Sequence, residues 1–198
     1  MLHLLGNLTL ILPLIIEDAS GESFTEYAGS LRSIPDVLLK PIEAVFFVIF
    51  LIHLSTCIVL TIENRSTRPR GNKKLRSRSG RTIGSRTMPH TGLFILLFLV
   101  IHLLNFTFSG AEPGEELLSQ VVKTFHTPRF LVLYPVLIVL LGIHISHGFQ
   151  SAFQTLGVEN SGYSKVIRAV GIAVSILFTL GFALIPVLVY LFYNAGGR

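Results

Sequence analysis

The chain has 198 residues, 51% of them hydrophobic and only 14% charged, with a mean hydropathy of +0.66. That is too apolar for a soluble domain of this size. The net charge of +5 is gathered in one segment, and the single cysteine, Cys57, excludes a disulfide within the chain. Seventeen Gly and nine Pro suit membrane helices better than soluble ones, and with no Trp an aromatic belt rests on Phe and Tyr.

Leu2–Ile16 is apolar, but fifteen residues of helix reach only ~22 Å, short of the ~30 Å of hydrocarbon in a bilayer. Pro13 is expected to break its end. No basic stretch precedes it, so nothing reads as a cleavable signal. It reads as the second half of a spanning helix, and the natural polypeptide is expected to begin upstream of Met1. His3 lies at its start, followed by Gly6 and Asn7. Glu17–Asp36 reads as a loop, with Glu17, Asp18, Glu22, Glu26 and Asp36 against Arg32 alone.

The second span is Ile42–Ile62 (38–63 with its flanks), with Glu43 at its entrance and His53 near its middle. The third is Gly92–Phe108 (89–109), containing His102. Ser109–Thr127 reads as another loop, with Glu112, Glu115 and Glu116 against Lys123. The fourth span is Phe130–Phe153 (129–155). A polar linker, Gln154–Lys165, carries the turn residues Glu159-Asn160-Ser161-Gly162. The fifth span, Val166–Tyr193 (165–193), has no histidine, and Gly171, Gly181 and Pro186 are expected to bend it or allow close packing. The pattern predicts one all-α domain over 1–198, an integral membrane bundle of five helices.

Between spans two and three, Glu63–His90 carries nine of the sixteen Lys and Arg: Arg65, Arg68, Arg70, Lys73, Lys74, Arg76, Arg78, Arg81 and Arg86. Basic loops stay on the cytoplasmic side. Both acidic loops then fall outside, which predicts a multi-pass protein of the cell (inner) membrane with its N-terminus in and C-terminus out. A run of Arg, Ser and Gly also resembles nucleic-acid-binding tails, but between two spans the topological reading is preferred and no nucleic-acid partner is expected. Such a loop also suits docking to an acidic face of a peripheral subunit.

The most informative stretch is Gly142–Gly157, GIHISHGFQSAFQTLG. Ionisable side chains within a span are costly and mark functional sites by default. His144 and Gly148 share a helical face, and the missing side chain suits a flat, bulky group lying there. His147, Gln150, Ser151 and Gln154 form an adjoining polar stripe. The bland reading of such residues is hydrogen bonding between helices.

His3, His53, His102 and His144 lie in four different apolar runs. His53 and His144 each sit nine residues, ~14 Å, from the inner end of their spans. His102 is six residues, ~9 Å, from the outer end of span three, and His3 shares that outer half. Two pairs at two levels suit two haems b held between helices, each by two neutral imidazoles. No CxxCH sequence is present for covalent haem attachment. Zinc would need three or four ligands at one level. A proton relay usually includes carboxylates, and only Glu43 is near a span. His90 and His126 fall in loops and carry no assigned role.

The chain resembles the cytochrome b membrane anchor of succinate:quinone oxidoreductases (succinate dehydrogenase and fumarate reductase), in the one-polypeptide, five-helix, two-haem class. The resemblance runs over nearly the whole chain: His3-Leu4-Leu5-Gly6-Asn7-Leu8, Phe24–Pro35, Ile52-His53-Leu54, Ser85–Phe106 and, most specifically, His144–Gly157. It implies that His53 and His144 ligate a proximal haem nearer the iron–sulfur subunit, and His3 and His102 a distal haem. It favours His144 over His147 as ligand, because the ligand precedes a glycine by four residues. His147, Ser151, Gln154 and Arg86 then become contacts to haem propionates or quinone. Only Met1 and Leu2 precede His3, where members of the family carry a substantial cytoplasmic stretch.

The resemblance further implies a membrane subunit that passes electrons between an iron–sulfur subunit and quinone, commonly menaquinone. The dicarboxylate and flavin chemistry would sit on partner subunits, a flavoprotein and an iron–sulfur protein. The alternatives are the dihaem anchor of another quinone-linked enzyme such as a hydrogenase, a haem-free channel or transporter, and a purely structural anchor.

Overall fold

The computed structural model describes residues 2–16, 22–66, 83–157 and 163–193. Among them every regular element is helical: α1 (Leu2–Ile16), α2 (Glu22–Arg32), α3 (Asp36–Ser66), α4 (Ile83–His102) continued by a π turn (Leu103–Thr107), α5 (Glu115–Phe125), α6 (Pro128–Thr155) and α7 (Ser164–Phe192). Four stretches are long and apolar enough to cross a membrane: Asp36–Glu63, Thr87–Thr107, Pro128–Thr155 and Ser164–Phe192. By helix length and composition the chain is a multi-pass membrane protein. The 15 residues of α1 are too few to cross unaided.

Three expectations are corrected. Glu17–Asp36 is not a loop throughout, because α2 occupies Glu22–Arg32. Its Phe24 and Ala28 are buried one helical turn apart. Likewise α5 occupies most of Ser109–Thr127. Glu115 and Glu116 lie in its first turn and Lys123 in its last, as the helix dipole favours, and Val121, Val122 and Phe125 are buried along one face. Gly110 (φ 80°) and Gly114 (φ 110°) supply the left-handed backbone that reverses the chain between the π turn and α5. Finally, α1 runs past Pro13 to Ile16. Pro41, Pro89, Pro135 and Pro186 also sit inside helices, a tolerance common where packing in the membrane re-satisfies the backbone. Most of the basic segment, residues 67–82, and residues 158–162 of the polar linker lie outside the described residues.

The chain divides into two compact units, residues 33–89 and residues 1–32 with 90–198. The smaller unit holds α3 and the start of α4. Within α3 the hydroxyls of Ser55, Thr56 and Thr61 donate to the carbonyls of Leu51, Ile52 and Cys57 at 2.7, 2.8 and 2.6 Å. This satisfies polar groups that an apolar surrounding would otherwise leave unpaired. Lys40 and Glu43 form an exposed ion pair of 2.9 Å.

In the larger unit α6 and α7 run antiparallel. Phe149 lies against Gly171, where an added Cβ would approach the ring to 3.0 Å, while Gly142 lies against Ser175 and Thr179. Ser175 Oγ donates to the Gly142 carbonyl at 2.5 Å, and a side chain at Gly142 would collide with Thr179. Small residues thus let the two backbones approach closely. α1 lies along α7 in the same direction: Leu4 meets Gly181, and Tyr193 Oη donates to the Leu10 carbonyl at 3.0 Å. α2 packs on α1 and α5, and α5 packs on α6, α7 and the π turn. These two short helices cap one end of the unit. The main apolar cluster lies there, with Leu10, Phe24, Val121, Val122, Phe125, Tyr134, Ile138, Ile185, Val189 and Tyr193 all buried.

Candidate functional site

At the capped end, α1 and α4 bring His3 and His102 together. Their ring centroids are 5.8 Å apart and the ring planes cross at 84°. His102 is half-buried among aromatic rings: Phe106 at 5.1 Å, Phe98 at 5.6 Å and Tyr134 at 6.2 Å between centroids. Phe182 of α7 closes on His3 at 5.7 Å. The Nδ1 atom of His102 is buried with no hydrogen-bond partner. A buried polar atom of this kind is uncommon in a folded protein.

The helix changes pitch immediately after His102. Phe108 N–H donates to the Leu103 carbonyl, five residues back, at 2.8 Å. Such π turns are frequent at functional sites. Tyr134, only 2% exposed, lies edge-on to Phe98, Phe106 and Phe125. Its hydroxyl accepts from Asn105 Nδ2 at 3.1 Å, and Gln120 Nε2 of α5 donates to the Asn105 carbonyl at 3.0 Å.

Towards the opposite end lies His144 on α6. Its Nδ1 is 3.1 Å from Thr91 Oγ1 on α4, and Thr91 is buried. An added Cβ on Gly92 would come within 3.6 Å of the His144 ring, so the glycine lies close beside the imidazole. Eleven residues of α4 separate Thr91 from His102, and ten of α6 separate Tyr134 from His144. The two sites therefore stand ~15 Å apart along the unit.

The other sequence-predicted residues are placed as follows. His53 lies on α3 in the smaller unit, exposed, with Nε2 3.7 Å from Cys57 Sγ one turn on. His147 is half-buried on α6, and Ser151 and Gln154 are exposed further along the same helix. Arg86 is in the first turn of α4, and its side chain lies outside the described residues. His90 is exposed. His126 contacts the Val122 carbonyl at 2.9 Å and the Tyr190 ring at 5.3 Å, a structural role at the end of α5. Among the described residues, no group of three or more His, Cys, Asp or Glu is placed to hold a metal ion.

No family model matches this chain, and no match was found among curated proteins or solved structures.

Sequence reasoning passed over Thr91 and Tyr134, which contact His144 and His102, and Asn105 and Gln120, which are bonded to Tyr134 and to the π turn. Thr91 and Asn105 fall inside Ser85–Phe106, and a polar residue within or at the edge of an apolar span is itself a signal. Gln120 was hidden with α5, although Leu117, Leu118, Val121, Val122 and Phe125 recur at helical spacing.

Proposed function

We propose that this chain is the dihaem cytochrome b anchor of a succinate:quinone oxidoreductase, in the five-helix class. In this reading His3 and His102 hold a distal haem b, and His53 and His144 a proximal one. The observation that carries the reading is the His3–His102 pair with its partnerless buried nitrogen. His3 on α1 and His102 on α4, with ring centroids 5.8 Å apart, are the two imidazoles that would hold such a group.

A bound haem supplies a one-electron carrier whose properties follow from its axial ligands and the polarity around it. The chain's own residues do the rest. Phe98, Phe106 and Tyr134 shield the His102 ring, while His3 stays exposed beside Phe182. Thr91 holds Nδ1 of His144, so that a bond to iron would come from Nε2, the usual arrangement in which the second nitrogen fixes ring orientation. His147, Ser151, Gln154 and Arg86 offer donors for propionate or quinone oxygens. The basic segment between α3 and α4 would lie inside the cell and face the iron–sulfur and flavoprotein subunits, and α2 and α5 would lie outside. The quinone is menaquinone by the same reading.

The test is to purify the tagged chain from membranes that contain its natural partners and record visible spectra. Two b-type components, with a flavoprotein and an iron–sulfur protein copurifying, support the proposal. A colourless protein points to a channel or transporter. Haem with a hydrogenase as partner points to another quinone-linked enzyme.

A further inference from the structure

We infer that α5, a helix outside the apolar spans, positions His102 through a latch of Gln120, Asn105 and Tyr134. The inference rests on the proposed function for the identity of the group that His102 serves; the latch itself is a chain of contacts. Gln120 Nε2 holds the Asn105 carbonyl at 3.0 Å, and Asn105 Nδ2 donates to Tyr134 Oη at 3.1 Å. The Tyr134 ring stands against the His102 ring at 6.2 Å. Asn105 is the middle residue of the π turn Leu103–Thr107 that begins one residue after His102.

The physical argument is one of register. A π turn holds one more residue per hydrogen-bonded ring than an α-helical turn, and so alters the facing of everything near it. It costs backbone hydrogen-bond geometry and persists where surrounding contacts favour it. Here both the carbonyl and the side chain of Asn105 are held from outside α4, by α5 and α6 respectively. Relaxation to regular α-helix would turn Asn105 away from both partners, and with it Phe106, whose ring lies 5.1 Å from His102. Tyr134 is also packed edge-on to Phe125 of α5 at 5.2 Å, so α5 reaches His102 by a second, apolar route. The fit of the imidazole is thereby tied to the docking of a surface helix. At His144 a contact comes from Thr91 on α4 itself.

The test uses the full chain with its haems, as Tyr134→Phe and Gln120→Leu. The first keeps the ring and deletes the hydroxyl; the second lies outside the spans, so failure of one to fold leaves the other. Two readouts are taken: the low-spin ferric resonance of each haem component, and amide exchange of residues 103–108. Both variants should keep both haems and shift the resonance of the component assigned to His102, leaving the other unchanged. Exchange in the π turn should rise about tenfold in Gln120→Leu, as expected for one lost hydrogen bond. Faster exchange with an unmoved resonance would reduce the latch to a structural contact and overturn the inference. So would equal shifts in both components, or no change in either readout. If the wild-type protein carries no haem, the proposed function fails, while the exchange arm still decides whether α5 holds the π turn.

Discussion

The two histidine sites of the larger unit are built by different means. His102, at the capped end, is surrounded by rings from α1, α4, the π turn and α6, with one nitrogen left without a partner among protein atoms. His144, ~15 Å away along the helices, has its Nδ1 against the Thr91 hydroxyl. The first site depends on elements distant in sequence and on a cap; at the second a threonine of a neighbouring helix contacts the imidazole. Damage to the cap should therefore disturb His102 and spare His144, whereas a change at Thr91 should do the reverse.

The largest expected effect is at the cap. Phe125, 5% exposed, joins α5 to Tyr134 and Phe106. Phe125→Ala should lower stability by about 3–5 kcal/mol and broaden the His102 signal while the His144 signal stays sharp, read by thermal melting and by spectra of the two components. Equal broadening at both sites would mean that the unit responds as a whole and that the contrast does not hold.

Gly142→Val comes next. Its side chain would meet Thr179 and displace the Ser175 hydroxyl from the Gly142 carbonyl. A cost of about 1–3 kcal/mol is expected, with His144, two residues on, affected more than His102. Chemical unfolding in detergent, paired with the component spectra, reads both.

Thr91→Val removes an oxygen from His144 with little change in volume. In the proposed dihaem protein, where Nδ1 of an iron-bound His144 would donate to this oxygen, its loss would make the imidazole a poorer donor to ferric iron. The midpoint of that component should rise by about 30 mV, a threefold change in its reduction equilibrium at 59 mV per decade, and Thr91→Ser should restore it. A falling or unchanged midpoint would remove Thr91 from the site. His147→Leu should have the smallest effect, keeping both haems and slightly shifting the same midpoint or slowing quinone reduction. If His147→Leu lost a haem that His144→Leu retained, the roles of the two histidines would be exchanged.

Four of the membrane helices were legible in the sequence because a long apolar run is a one-dimensional signal. Ile42–Ile62, Gly92–Phe108, Phe130–Phe153 and Val166–Tyr193 each fall largely or wholly within a helix or its immediate end. The positions of His102 and His144 along those helices were legible for the same reason. What the sequence hid was short or relational. α2 and α5 are eleven-residue amphipathic helices whose charges read as loop, although the apolar residues of α5 recur at helical spacing. The π turn leaves no local mark in Leu103–Thr107, since it depends on what Gln120 and Tyr134 do from other helices. Thr91 was quoted within a motif but could not be tied to His144, 53 residues away, without coordinates.

The most direct measurement is the haem content of the purified chain and of its single-histidine variants. A dihaem anchor carries two haems b per polypeptide. His3→Ala and His102→Ala should each remove the same spectral component, and His53→Ala and His144→Ala the other. A haem-free wild-type protein, or loss of one and the same component from His102→Ala and His144→Ala, would contradict it.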